Sequence, residues 1–183
     1  MIKERNLLSS SDFSILLKHL ESGLETSANN PSRCYVCRVS LLCAGTGKRI
    51  SDVCKFTKNQ IEMLRDLGSF SFRVQKTGSL GLVIWYGESD TLNKIIEHWT
   101  DFQCSRASLY RSMEKFLIGC GLPKRKGIKF HEFRFKLAGR LYDAMKTQNE
   151  VKHLLDHKTN KVTKHYIAQE LYNIFKEREE NSN

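Results

Sequence analysis

No apolar run in the 183-residue sequence approaches the roughly 20 residues that a membrane-crossing helix needs, so no bilayer span is expected. The first residues, Met1-Ile2-Lys3-Glu4-Arg5, lead directly into polar sequence and carry no secretion pattern. That absence, set beside six cysteines (Cys34, Cys37, Cys43, Cys54, Cys104 and Cys120), predicts free thiols in a reducing intracellular compartment, cytoplasmic or nucleoid-associated. No internal repeat is present, and low complexity is confined to the terminal Glu177-Arg178-Glu179-Glu180-Asn181-Ser182-Asn183. Acidic residues are in deficit, twenty against thirty Lys and Arg, which leaves a formal charge of +10. The basic residues are spread along the chain rather than collected in one tail, and that distribution favours a polyanionic partner.

Three motifs are incomplete. Cys34-Tyr35-Val36-Cys37 has the spacing of half a zinc site, but no second close cysteine pair or histidine pair completes it, so core filling is the expectation. Gly45-Thr46-Gly47-Lys48 resembles the end of a phosphate loop. Leu42 stands where its first glycine belongs and Arg49 where Ser or Thr should follow the lysine, so nucleotide hydrolysis is not expected. His153 and His157 are four apart, with no glutamate or third ligand beside them. No metal or cofactor is expected.

The length suits one domain. Ser9-Ser10-Ser11-Asp12 before apolar residues at helical spacing predicts a helix over about 11–23. Asn30 as cap and Pro31 at the first position open a second, closing near Gly45-Thr46-Gly47. A short helix follows over Arg49 to Phe56. Two β-prone runs, Phe70–Val74 and Leu80–Trp85, flank Gln75-Lys76-Thr77-Gly78-Ser79 and read as a hairpin with Lys76 at its tip. Helices are expected again at about 89–99, 105–120, 131–147, 149–157 and 160–179, the last with an apolar face of Ile167, Leu171, Ile174 and Phe175. The fold class is therefore mainly α with a small antiparallel β-sheet (α+β).

In chain order the sequence offers Thr46-Gly47-Lys48-Arg49-Ile50-Ser51-Asp52-Val53, Gln75-Lys76-Thr77-Gly78, Phe130-His131-Glu132-Phe133-Arg134, Leu154-Leu155-Asp156-His157 and Thr163-Lys164-His165-Tyr166. This series resembles the catalytic domain of the tyrosine recombinase (phage integrase) family. Its members carry an Arg on a TGxRxSE segment, a hairpin Lys, a His-x-x-Arg helix, an LGH histidine and a nucleophilic Tyr nine residues later. Here Tyr166 follows His157 by nine. The match covers about residues 11–166, with 167–183 left as a C-terminal helix and tail that in the family often docks on a neighbouring subunit; docking on its own domain stays open as the other reading. A separate N-terminal DNA-binding domain, usual in the family, is expected to be absent. The resemblance implies double-stranded DNA as substrate and self-association into a tetramer on it.

The chemistry of strand cleavage accounts for these residue types. Negative charge spreads over the non-bridging oxygens as a nucleophile attacks a phosphodiester, and a metal-free enzyme needs fixed cations there. Arg49 and Arg134 suit such a clamp, because a guanidinium stays charged and holds two oxygens at once. A spacing of three puts His131 and Arg134 on one helix face. A phenol, with an ordinary pKa of about 10, needs a proton acceptor, and His131 is the candidate that the family pattern implies. His157 would donate a hydrogen bond to the phosphate, and Lys76 would protonate the departing 5′ oxygen. Asp52, one turn after Arg49, would hold its guanidinium or order neighbouring groups. The product would be a 3′-phosphotyrosine at Tyr166, formed without metal or ATP.

Two positions depart from the family pattern. Asp156 replaces the usual Gly before the histidine, and would raise the pKa of His157 or repel phosphate. Phe135 follows Arg134 where many members carry a second histidine. Two other readings stay open: a type IB topoisomerase-like nicking-closing enzyme, and a DNA-binding module that keeps the fold without catalysis.

Overall fold

Ser9 starts the first helix: its hydroxyl accepts the backbone N–H of Asp12 at 3.0 Å, and α1 runs Ser10–Glu25. The computed structural model describes residues 7–27, 29–122, 130–144 and 146–181. Met1–Arg5, Met145 of the expected 131–147 helix, and Ser182-Asn183 of the terminal low-complexity segment lie outside the described residues.

Asn30 caps α2 (Pro31–Thr46) by accepting the Arg33 N–H, with Pro31 in the first turn where its missing donor costs nothing. This helix is buried on almost every side. Tyr35, Cys37, Val39, Leu42 and Cys43 all face other elements, which makes it the central helix of the domain. The cysteines of the Cys-x-x-Cys motif are part of that filling, and all six cysteines of the chain are free. Gly47, at φ +62°, ends α2 in the left-handed conformation, its N–H donating to Cys43 O at 3.0 Å.

The short helix α3 covers only Ile50–Val53. After it comes α4 (Lys58–Leu67), a helix that the periodicity reading passed over although Thr57 and Gln60 form a capping box and Ile61 and Leu64 bury one face. Strands β1 (Ser69–Arg73) and β2 (Leu80–Ile84) pair antiparallel with Phe70 opposite Val83 and Phe72 opposite Gly81. Alternation turns Phe70 and Phe72 inward, edge-on against Phe56 at 5.1 and 5.4 Å. Gly78, at φ +68°, closes the turn by donating to Val74 O at 2.8 Å.

Helices α5 (Ser89–Glu97) and α6 (Arg106–Gly119) complete the larger core. α7 (His131–Asp143) ends earlier than expected, and α8 (Gln148–Leu154) begins on a second capping box, Thr147 with Glu150. α9 runs Asn160–Asn181. The larger apolar cluster unites α1, α2, α4, the hairpin, α5, α6 and the start of α7. A smaller one, with Leu137, Leu141, Val151, Leu155 and Ile167, joins α7 to α8 and α9. Arg134 sits on α7 between Phe133 of the first cluster and Leu137 of the second, so the seam between the two cores carries a cation.

The apolar face expected of α9 is only partly covered: Ile167 is buried, Leu171 and Ile174 are half-buried, and Phe175 is exposed. Phe135 against Tyr166 and Gly139 against Glu170 keep α9 in step with α7. Because α7 stops at Asp143, the later turns of α9 outlast the surface that would cover them. Among the described residues no helix is long and apolar enough to cross a membrane.

Candidate active site

The turn after α8 organises the site. Its backbone forms a Schellman motif: the His157 N–H donates to Lys152 O at 3.0 Å and the Asp156 N–H to His153 O at 3.1 Å. Asp156 occupies the left-handed position of that motif, φ +52°, where glycine is usual. Three successive carbonyls of the turn each receive a cation. Leu154 O accepts from Lys48 Nζ at 2.7 Å, Leu155 O from Arg134 Nη2 at 2.5 Å, and Asp156 O from Arg49 Nη2 at 3.3 Å. The end of a helix offers unsatisfied carbonyls and partial negative charge, and cations are the natural partners for both.

Arg49 and Lys48 reach this turn because Gly47 reverses the chain at the end of α2. The Gly47 carbonyl also takes a hydrogen bond from Arg134 Nη1, so the segment before Arg49 and the middle of α7 are tied together. Arg134 is buried, and two of its five donors are used on Gly47 and Leu155. Burial and neighbouring Arg49 draw its pKa down, while the phenol of Tyr166, in contact with the guanidinium, opposes the shift.

His157 is buried, with Nδ1 3.0 Å from the Thr163 hydroxyl. Its Nε2 and Arg49 Nη1 are buried polar atoms with no hydrogen-bond partner among the described residues. Burial first, then Arg134, Arg49, His131 and Lys48, push the imidazole pKa down from 6.5 to about 3. The direction is opposite to the rise expected from an adjacent Asp156. The reason is geometric: the Asp156 carboxylate faces Lys48 Nζ at 2.7 Å.

Tyr166 lies one turn after Thr163 on α9, so both look toward His157. Its ring meets the imidazole edge-on at 4.7 Å and stacks on Phe135 at 4.1 Å, 26° from parallel. Phe135 therefore supplies a surface for the tyrosine ring at the position where many members of the family carry a histidine. The interval of nine between His157 and Tyr166 is the length of the loop plus two turns of α9.

His131 stands exposed at the first position of α7, close enough to act electrostatically on His157. Lys76 is exposed in the hairpin turn and makes no hydrogen bond or ion pair among the described residues. The Asp52 Oδ1 faces the hairpin, accepting the backbone N–H of Gln75 at 3.0 Å. The hydrogen bond given by Arg49 goes to Asp156 O instead.

The structure thus gathers Arg49, Arg134, His157 and Tyr166 about one turn, with His131 exposed at the start of α7 and Lys76 exposed on the hairpin. Sequence reasoning passed over Lys48, which looked like a fragment of a phosphate loop, and Thr163, whose signal was its place three residues before Tyr166. It also missed a buried ion pair, Lys136 Nζ to Glu170 Oε1 at 2.9 Å, that fastens α9 to α7. Among the described residues no group of three or more His, Cys, Asp or Glu is placed to hold a metal ion.

Comparison by sequence gives no match, either to a family model or to a curated protein. Comparison of structures does. The chain is similar to the XerH site-specific recombinase in its post-cleavage complex with a palindromic difH substrate, with TM-score 0.70 and 14% identity over 98% of this chain and 53% of that one. It is similar to a lambda integrase (75-356) dimer bound to a COC′ core site, with TM-score 0.65 and 23% identity over 91% of this chain and 60% of the other. For the catalytic domain of bacteriophage HP1 integrase the TM-score is 0.62 and the identity 19%, over 91% and 89% of the two chains. This chain spans between half and three fifths of the XerH and lambda integrase chains and most of the HP1 catalytic domain. From the helical architecture, the antiparallel hairpin and these likenesses together, the chain has the fold of the tyrosine recombinase catalytic domain.

Proposed function

We propose that the chain is a single catalytic domain that cuts and rejoins double-stranded DNA at specific sites through a 3′-phosphotyrosine on Tyr166. The observation that carries this reading is the meeting of Arg49, Arg134, His157 and Tyr166 around one helix-terminal turn, with Arg49 Nη1 and His157 Nε2 buried and still able to donate. A phosphate is the anion such donors fit. XerH and lambda integrase, which share the fold, were crystallised on DNA, and the +10 charge of this chain suits the same partner.

In the proposed step the Tyr166 hydroxyl oxygen attacks phosphorus and the bond to the 5′ oxygen breaks. His131 takes the phenol proton, and Lys76, carried by the hairpin, gives a proton to the departing 5′ oxygen. Arg49 and Arg134 hold the non-bridging oxygens as charge spreads over them. With the Thr163 hydroxyl donating to Nδ1, neutral His157 carries its proton on Nε2 and donates it as a hydrogen bond to the phosphate. Asp52 steadies the base of the hairpin through Gln75. Attack by a free 5′ hydroxyl on the phosphotyrosine reverses the step, so metal and ATP are not needed. Exchange between two duplexes calls for assembly on DNA, proposed as a tetramer, with exposed Tyr172 and Phe175 of α9 free to meet a neighbouring subunit.

The test uses a library of nicked duplexes with randomised cores, which trap a cleaved strand on the protein. A covalent adduct on a subset of sequences that vanishes in Tyr166→Phe supports the reading. No adduct from the whole library, or an adduct that survives Tyr166→Phe, would falsify it. Relaxation of supercoiled DNA by monomers with no strand exchange would replace the recombinase reading with the topoisomerase one.

A further inference from the structure

We infer that Lys48 and Asp156 are a positioning pair that locks the turn after α8 and thereby sets where Arg49, Arg134 and His157 stand relative to one another. This rests on the function proposed above for its activity arm and on the geometry alone for the rest.

Lys48 is almost completely buried, at 1% side-chain exposure, and its ammonium has two partners in one turn: Asp156 Oδ2 and Leu154 O, each at 2.7 Å. Burying a lysine is costly unless it is paired and hydrogen-bonded, and here it is both. Burial draws its pKa down, opposed chiefly by the Asp156 carboxylate. Asp156 is equally unexpected on backbone grounds, since φ +52° favours glycine and its side chain must have a reason to be there. The reason is Lys48.

Removing the pair would free the turn at both ends. Arg49 follows Lys48 directly and donates to the carbonyl of Asp156; Arg134 donates to the carbonyl between Leu154 and Asp156; His157 follows Asp156. The pair also backs the hairpin. Lys48 Nζ lies 5.5 Å from the Phe72 ring centre, and a Cβ at Gly81 would stand 3.1 Å from Asp156 Oδ1. One ion pair therefore joins the segment that carries Arg49 to the turn that carries His157 and backs the hairpin that carries Lys76.

The experiment is a double-mutant cycle in the full chain: Lys48→Leu, Asp156→Gly and the two together. The readouts are adduct formation at saturating nicked DNA, DNA affinity, thermal midpoint, and the imidazole NMR signal of His157, assigned by its loss in His157→Gln. Each single change is expected to slow adduct formation about tenfold or more with affinity little altered, and the double variant to be no slower than the slower single one, with the His157 signal displaced in all three. Losses that multiply in the double variant, or that fall on affinity alone, overturn the proposal. Asp156→Asn supplies a milder arm, because it keeps an acceptor for Nζ and tolerates the left-handed backbone. It should outperform Asp156→Gly; the reverse order would mean that backbone conformation, not the Lys48 contact, is what matters. Should wild type form no adduct, the recombinase reading fails, while the midpoint and the His157 signal still decide the pair.

Discussion

The Asp52 carboxylate accepts the backbone N–H of Gln75 at 3.0 Å, which pins the base of the hairpin turn to α3 one residue before Lys76. Asp52→Ala is therefore expected to destabilise the chain by about 1.5–3 kcal/mol, the scale of a hydrogen bond to a charged group. Hydrogen exchange of residues 75–79 should accelerate, with Asp52→Asn recovering part of the protection. Unchanged exchange in Asp52→Ala would dismiss the anchor.

Acid should weaken the fold through His157. Its folded pKa, about 3 against an ordinary 6.5, leaves it neutral in the native chain where the unfolded chain takes up a proton. The unfolded state binds more protons between those values, so the contribution is intact above about 6.5 and is lost as pH falls toward about 3. His157→Gln cannot take up that proton. Its thermal midpoint should fall less than that of wild type across the window; parallel curves would show that His157 is not the group responsible.

Gly47 meets two constraints at once, a φ of +62° and a space already filled. A Cβ there would lie 2.6 Å from Leu155 Cδ2 and 2.7 Å from Leu137 Cδ2. Gly47→Ala is expected to cost about 1–3 kcal/mol by denaturant unfolding. It should also slow adduct formation, because the Gly47 carbonyl is one of the seats of Arg134.

Much of this candidate site is legible in residue order alone. Arg49, Arg134, His157 and Tyr166 were identifiable because each sits in a short motif, and the hairpin was identifiable from strand-like alternation around a turn. What the sequence hid was the backbone's part. A carbonyl carries no side-chain signature, so the three acceptors of residues 154–156 were invisible, and with them the purpose of Lys48. Asp156 was read by its charge as a neighbour of His157, when its rotamer directs the carboxylate to a residue more than a hundred positions away. Helix α4 was overlooked although its capping box is local, and α7 was drawn too long because apolar spacing continues past Asp143.

Lys136 and Glu170 form an ion pair with 4% exposure on each side. Lys136→Met deprives Glu170 of that cation and is expected to cost about 3–5 kcal/mol. Protease sensitivity should rise first in α9. A thermal midpoint equal to that of wild type would show that the pair contributes nothing net.

That ion pair lies one helical turn beyond Tyr166 on the same rod of backbone. Any movement of α9 that carried Tyr166 away from α7 would have to pull Glu170 from Lys136. The placement of Tyr166 is thus tied to a buried contact that lies outside the site itself.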